Sequence, residues 1–378
     1  MTNSAAIPSQ ELLDAAWRII TDGAELGAYA GAVALVAHRD QVILERACGW
    51  AVIEPERIPM AVETRFDLAS LTKVVATLPA ILRLIDQGVF GLDDPVAKVL
   101  PAFGADDAKR AITIRHLLSH TSGLPAWLPL YLDQTGSEAY VAAIARADLE
   151  ATPGSEVIYS DLGFILLGEI VRHVTGDDIA MVAEREIFGP LGVATTGFRP
   201  PSSERPRIAA TEIGNPREIE MTGHRASEYP HWRQNIIWGD VHDGNAYYGL
   251  DGVAGHAGLF GTAADVLRYG QCWLHHGTLA GVRLLSPEIV AEATREQAPG
   301  RGLGWRLPGP EGDGIDLIRL LGANAYGHTG FTGTALWVAP ALELVAVLLT
   351  NRVHPLSRDE IGTIRPAFAG AIAEAVPP

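Results

Sequence analysis

The spacing of apolar positions changes several times along the chain. Over residues 10–22, Leu12, Leu13, Ala16, Ile19 and Ile20 recur at helical spacing and predict an amphipathic helix. The next stretch, GAVALVAHRDQVILERACGWAV, is apolar on both sides of a polar break at His38–Gln41, which predicts a hairpin of two strands. After Ser70 the pattern has almost no polar face: Val74, Val75, Leu78, Ile81, Leu82, Leu84 and Ile85 predict a helix buried all round. Pro79 within it predicts a kink or break, because proline lacks an N–H and crowds the preceding turn.

The middle of the chain reads as helix and loop. ITIRHLLSHTSGL predicts a short helix ending at Thr121-Ser122-Gly123, and residues 160–175 (SDLGFILLGEIVRHVT) predict a second apolar helix. Residues 200–250 show no clear period and are rich in Pro, Gly, His and Trp, as segments lining a site often are. TALWVAP and LELVAVLLTN then predict two strands around Pro340-Ala341, followed by a helix over 358–376. Strands at both ends with helices between imply an α/β chain (of α+β type). In it an antiparallel sheet from both termini is flanked by the terminal helices and carries an inserted, mostly helical domain. The expected division is residues 1–65 and 270–378 for the sheet domain and 66–269 for the helical one, with a cleft between them.

Composition narrows the functional classes. A formal charge of −16 disfavours nucleic acid and anionic membrane as partners. No 18-residue apolar run occurs, and Glu11, Asp14 and Arg18 interrupt the N-terminal stretch, so neither a membrane span nor a signal peptide is read. A cytoplasmic setting is the expectation, although a chain trimmed of its leader would look the same. Cys48 and Cys272 form no C-x-x-C pair and are read as reduced, buried thiols.

Candidate chemistry begins with the lysines. The chain has 26 arginines and only Lys73, Lys98 and Lys109 as lysines, so a lysine is not its usual source of positive charge. Lys73 follows Ser70 by three residues where the buried helix starts, which sets the two side chains on one face. A neutral lysine amine can take the proton of a serine hydroxyl, whereas arginine cannot. A serine N-cap beside an incidental lysine is the bland alternative. Tyr159-Ser160-Asp161 stands at the start of another apolar helix, where the phenol could relay protons. His328-Thr329-Gly330 opens a predicted edge strand, where backbone groups could align substrate and complete an oxyanion hole.

In this order the three stretches resemble the S-x-x-K, Y-x-N and K/H-T-G motifs of the penicillin-recognising serine hydrolases. The branch is that of class C β-lactamases, D-alanyl-D-alanine carboxypeptidases, D-aminopeptidases and β-lactamase-like carboxylesterases. HLLSHTSGLP (116–125), VHDGNA (241–246), GVAGHAGLFGTAADV (252–266) and LLTNRVHP (348–355) extend the resemblance over most of the chain. It implies a β-lactamase/transpeptidase-like fold and an acyl-enzyme mechanism. Ser70 would be the nucleophile, and Lys73 and Tyr159 would handle its proton. The N–H of Ser70, with that of Phe331 or Thr332, would form the oxyanion hole. Asp161, His328, Thr329, Gly330, Phe331 and Thr332 would contact substrate.

Two departures qualify it. Asp161 replaces the motif's Asn and cannot donate a hydrogen bond when ionised; it could pair with Lys73 and keep it charged, or attract an amine-bearing substrate. His328 replaces the lysine usual in β-lactamases and binds a carboxylate less firmly. The expectation is a serine hydrolase for small esters or amides, or alternatively a D-alanyl-D-alanine carboxypeptidase, a D-aminopeptidase or a weak β-lactamase. A binding or scaffold protein that keeps the fold without turnover is the alternative of another class. The partner would be a small ester, amide or peptide, with no metal or organic cofactor. His116 and His120 have i, i+4 spacing but lack the Glu of H-E-x-x-H, and are read as structural. No G-x-S-x-G occurs, and Gly252–Gly261 is read as a close-packing segment rather than a phosphate cradle. Asp243 and His256 are read as local structure first. Of Trp127, Tyr131, Tyr229, Trp232, Trp238, Tyr247 and Tyr248, two or three are expected to wall the cleft.

Overall fold

The structure is a computed structural model that describes residues 7–309, 317–356 and 358–377. Helix α1 (Gln10–Glu25) leads into the hairpin of β1 (Gly31–His38) and β2 (Gln41–Val52), then into β3 (Ile58–Pro59) and β4 (Phe66–Asp67). A π-helical turn at Lys73–Thr77 opens α2 (Leu78–Asp86), and α3 (Ile114–Leu118), α4 (Asp161–Thr175), β5 (Gly197–Phe198) and α5 (Pro216–Thr222) follow. Next come β6 (Leu259–Gly261), α6 (Ala263–Leu274), β7 (Tyr326–Thr329), β8 (Ala335–Ala339), β9 (Leu344–Thr350) and α7 (Ile361–Ala375).

Strands from both chain ends join in one six-stranded sheet of order β3-β2-β1-β9-β8-β7, with every pairing antiparallel. Its central strand β1 is buried along its whole length, so its side chains divide by alternation rather than by polarity. Ala32, Ala34 and Val36 face a layer with Ala16 and Ile20 of α1 and Phe368, Ala369 and Ile372 of α7. Val33, Leu35 and Ala37 face the larger core on the other side, which holds α2, α4 and α6. This is the β-lactamase/transpeptidase-like arrangement expected from the sequence. No helix among the described residues is long and apolar enough to cross a membrane. Both cysteines are free; Cys272 is buried as expected, but Cys48 on β2 is only part-buried.

Two expectations change in detail. Pro79 does not break its helix; the turn just before it widens, with the Leu78 N–H donating to the Lys73 carbonyl five residues back. The wider turn accommodates a residue that has no N–H and would crowd a regular turn. The second concerns His328-Thr329-Gly330. His328 and Thr329 close the short edge strand β7 instead of opening the strand at Ala335, and Gly330 starts the loop between them.

That loop is bound to the turn carrying Ser70. Thr332 and Thr334 hydroxyls donate to the carbonyls of Asp67 and Leu68 at 2.7 and 2.9 Å. Gly330 permits the approach, since a Cβ there would lie 2.5 Å from the Leu68 carbonyl oxygen and would also strike Thr334. A Gly330→Ala substitution is therefore expected to destabilise the chain by about 1–3 kcal/mol through overpacking. Urea unfolding checks this, and an unchanged midpoint would show that the loop has room to relax.

Candidate active site

Ser70 sits at the end of a tight turn built by a buried carboxylate. Asp67 accepts the Ala69 N–H at 2.8 Å and the His242 N–H at 2.7 Å. Ala69 takes the left-handed conformation, with φ at 47°, which is uncommon for a residue with a side chain and costs free energy. The turn delivers Ser70 to the start of the buried helix, one turn before Lys73.

Lys73 is wholly buried. Its amine donates to Ser70 Oγ at 2.8 Å and to the His256 carbonyl at 3.2 Å. It also stands 2.7 Å from Asp161 Oδ1 in an ion pair. Three acceptors thus surround a group that, when protonated, has three N–H bonds to give. The Nζ lies 5.1 Å from the ring centroid of Tyr159, whose hydroxyl is a further hydrogen-bonding neighbour. Burial acts to lower the amine's pKa, but Asp161 and Tyr159 outweigh it and hold the pKa above the usual lysine value. At rest the amine is an ammonium.

The stretch at residues 116–125 positions Tyr159 and Asp161. His120 Nδ1 accepts the Ser160 N–H at 3.1 Å, and its ring packs against Tyr159 at 4.5 Å between centroids. Ser160 caps α4 by accepting the Gly163 N–H and anchors itself to the Pro125 carbonyl at 2.7 Å. His116 accepts the Thr113 N–H in the capping box of α3. Both histidines therefore have structural work.

Two depressions meet at Ser70, sharing Ser70, Asp161 and Phe331. The larger, about 500 Å³, is lined by Tyr159, His328, Thr329 and Gly330 together with Arg301, Arg306, Arg352 and Arg365. Arg352 and Arg365 hold the loop after β7, through the carbonyls of Phe331 and of Gly330 and Thr334. Arg301 lies over the Tyr159 ring at 5.3 Å, and neither it nor Arg306 has a carboxylate partner among the described residues. His328 is buried and its Nδ1–H donates to the Thr329 carbonyl at 2.9 Å. Burial, then Lys73 and Arg301, push its pKa well below the usual histidine value, so it is neutral.

The smaller recess, about 120 Å³, is lined by Trp127, Met221, Glu218, His242, Asp243 and His256 among others. Asp243 accepts the His256 Nε2–H at 2.9 Å and the Ala246 N–H at 2.8 Å. Burial acts to raise its pKa, but His256, Ala246 and Lys73 hold it below the usual carboxylate range. The backbone N–H groups of Ser70, Phe331 and Thr332 have no protein acceptor among the described residues.

The sequence-predicted residues therefore come together: Ser70, Lys73, Tyr159 and Asp161 with the loop at 328–332. Asp243 and His256, read as local structure, stand beside them. So does Arg301, one of 26 arginines and marked by no motif. Of the seven aromatics, Trp127 enters the recess, whereas Tyr131, Tyr229, Trp232 and Tyr248 pack edge-on or tilted on one another. The glycine-rich segment packs closely, as expected: a Cβ on Gly255 would fall 2.9 Å from the Gly168 backbone nitrogen of α4.

A family model described as Beta-lactamase matches residues 18–371. A "Putative D-alanyl-D-alanine carboxypeptidase" of Escherichia coli (strain K12) is 34% identical over 345 residues, covering 85% of this chain and 78% of that protein. Among solved structures, "EstCE1, a hydrolase with promiscuous acyltransferase activity" superposes with a TM-score of 0.75 at 26% identity, covering 96% of this chain and 99% of its own. A class C beta-lactamase shares the fold at a TM-score of 0.74 and 18% identity, covering 100% of this chain and 99% of its own.

With only three lysines, the ammonium can be followed directly by NMR of labelled lysine Cε carbons. Lys73 is expected to titrate above the usual lysine value in the native chain. In Asp161→Asn burial is left with less opposition, and the titration should move down. An unmoved titration would remove Asp161 as the cause.

Proposed function

The chain belongs to the beta-lactamase family and is a serine hydrolase of it; from that premise we propose that it cleaves small esters or amides through an acyl intermediate on Ser70. The observation that carries this reading is the 2.8 Å contact between the fully buried Lys73 Nζ and Ser70 Oγ, which lines the cleft. Ser70 Oγ attacks the substrate carbonyl and its proton passes to the neutral form of the Lys73 amine. Collapse of the tetrahedral adduct breaks the bond to the leaving group. That group takes the proton back from Lys73 by way of Tyr159. Water then attacks the acyl-serine by the reverse proton path, releasing the acid and restoring Ser70. The N–H of Ser70 and that of Phe331 or Thr332, free of protein acceptors among the described residues, suit the developing oxyanion.

A carboxypeptidase-like reading is favoured by a separate observation. Arg301 and Arg306 offer unpaired positive charge beside the neutral His328, which suits a leaving group bearing a carboxylate. Efficient β-lactamase activity is the least supported. Asp161 cannot donate the hydrogen bond that Asn would, and His328 lacks a fixed charge.

Side-by-side turnover of a short-chain p-nitrophenyl ester, an N-acyl dipeptide and a chromogenic cephalosporin tests the proposal, with Ser70→Ala as control. Ester turnover that Ser70→Ala abolishes, with little cephalosporin cleavage, is expected. Because Asp161 and Tyr159 keep Lys73 protonated, ester kcat/KM should climb with pH up to and beyond the ordinary lysine range. Turnover that survives Ser70→Ala would refute the acyl-Ser70 assignment. Fast cephalosporin cleavage would refute the weight given to Asp161 and His328.

A further inference from the structure

We propose that Asp243 is a positioning residue for proton transfer between Ser70 and Lys73, holding in place, through the His256 ring, the peptide carbonyl that faces the Lys73 amine. The inference rests on the acyl-Ser70 reading above and adds to it a residue that acts at one remove from the reacting atoms.

Of the three acceptors around Lys73, two are fixed by helices. Ser70 stands one turn before the lysine, and Asp161 opens α4. The third, the His256 carbonyl at 3.2 Å, belongs to a stretch before β6 that is neither helix nor strand. No ladder of backbone hydrogen bonds aims that carbonyl, so the task falls to neighbouring side chains. One anchor lies on Gly255, whose carbonyl accepts the Thr77 hydroxyl at 2.7 Å. The other is the His256 ring, 1% exposed, whose Nε2–H donates to Asp243 Oδ1 at 2.9 Å.

Asp243 is itself held firmly. Its Oδ1 also accepts the Ala246 N–H at 2.8 Å, and its carbonyl accepts the Tyr247 N–H at 2.9 Å, closing a turn. Just before it, Arg233 donates to the carbonyls of Val241 and His242, both at 2.7 Å. The preceding residue reaches the nucleophile's side. The His242 N–H donates to Asp67, the carboxylate that also receives the Ala69 N–H and shapes the turn before Ser70. Two consecutive residues therefore brace both members of the pair: His242 through Asp67 to Ser70, and Asp243 through His256 to Lys73. The 2.8 Å separation of Lys73 Nζ and Ser70 Oγ is thus governed from one point of the backbone.

Electrostatics agrees with this closeness. Burial acts to raise the Asp243 pKa, but His256 first, then Ala246 and Lys73, hold it below the usual carboxylate range. Position matters because a proton passes from Oγ to Nζ only at hydrogen-bond distance, and a misplacement of about 1 Å can cost on the order of a hundredfold in rate. Geometry and charge can be separated by substitution. A single oxygen, Oδ1, receives both His256 and Ala246, and the amide oxygen of asparagine can replace it.

The test is the kinetics of p-nitrophenyl acetate hydrolysis, with Ser70→Ala as control and circular dichroism to confirm folding. Asp243→Ala and His256→Leu should each lower kcat about tenfold or more, with KM kept within about twofold of native. Asp243→Asn, which keeps the accepting oxygen, should lie at least about fivefold above Asp243→Ala in kcat. The double variant Asp243→Ala/His256→Leu should fall no more than about threefold below the slower single one, because the two residues act as one unit. Should Asp243→Ala fold poorly, Asp243→Ser serves: its hydroxyl can still cap the turn at Ala246 but is too short for His256, and the same loss of kcat is expected. Native kcat in Asp243→Ala or Asp243→Ser, a loss confined to KM, Asp243→Asn as slow as Asp243→Ala, or single losses that multiply in the double variant would each overturn the positioning role. Turnover that Ser70→Ala abolishes would meanwhile leave the acyl-Ser70 reading standing. Turnover that survives Ser70→Ala would overturn that reading and the inference with it.

Discussion

Removing the Lys73 amine from water is the constraint around which the site is arranged. An ammonium with 0% exposure has to be paired and hydrogen-bonded, or it gives up its proton. Here Asp161, the His256 carbonyl and Ser70 Oγ surround it. Each partner is supplied by a different part of the chain: the first turn of α4, the glycine-rich segment before β6, and the turn after β4. The close packing of Gly255 on Gly168, the His120 contact with Ser160 and the Asp67-held turn all bring these partners to one point.

That balance makes the third residue of the second motif decisive. An amide at this position would leave Tyr159 alone to oppose the amine's burial and would donate to a substrate carbonyl. A carboxylate does the opposite: it favours the charged amine and presents negative charge to substrate. The same substitution therefore bears on rate and on specificity. The cleft is correspondingly two-sided, with unpaired arginine beside β7 and carboxylate beside α5, and Ser70 between them.

Much of this was legible in the sequence, and the reasons differ by element. The apolar alternation of β1 and the all-round apolar helix after Ser70 state their burial directly, so sheet and core could be read. The serine–lysine spacing could be read because lysine is rare here and a helix fixes which side chains share a face. Pro79 announced a disturbance, but whether a helix breaks or widens depends on packing that a local pattern does not encode. The strand at Tyr326–Thr329 was placed one element late, since four residues carry too little alternation to show where pairing starts. Arg301, Asp243 and His256 were hidden for another reason. Their importance comes from what faces them across the fold, and a charged residue in a loop looks the same whether it faces solvent or Lys73.

The most direct measurement is intact-mass spectrometry with peptide mapping after brief exposure to an activated ester, on the native chain, Ser70→Ala and Lys73→Met. A single acyl adduct on the peptide bearing Ser70 is expected. It should be absent in Ser70→Ala and form at least a hundredfold more slowly in Lys73→Met, the scale at which loss of a proton-transferring group is felt. An adduct on another residue, or one forming on Ser70 at an undiminished rate without Lys73, would contradict the account.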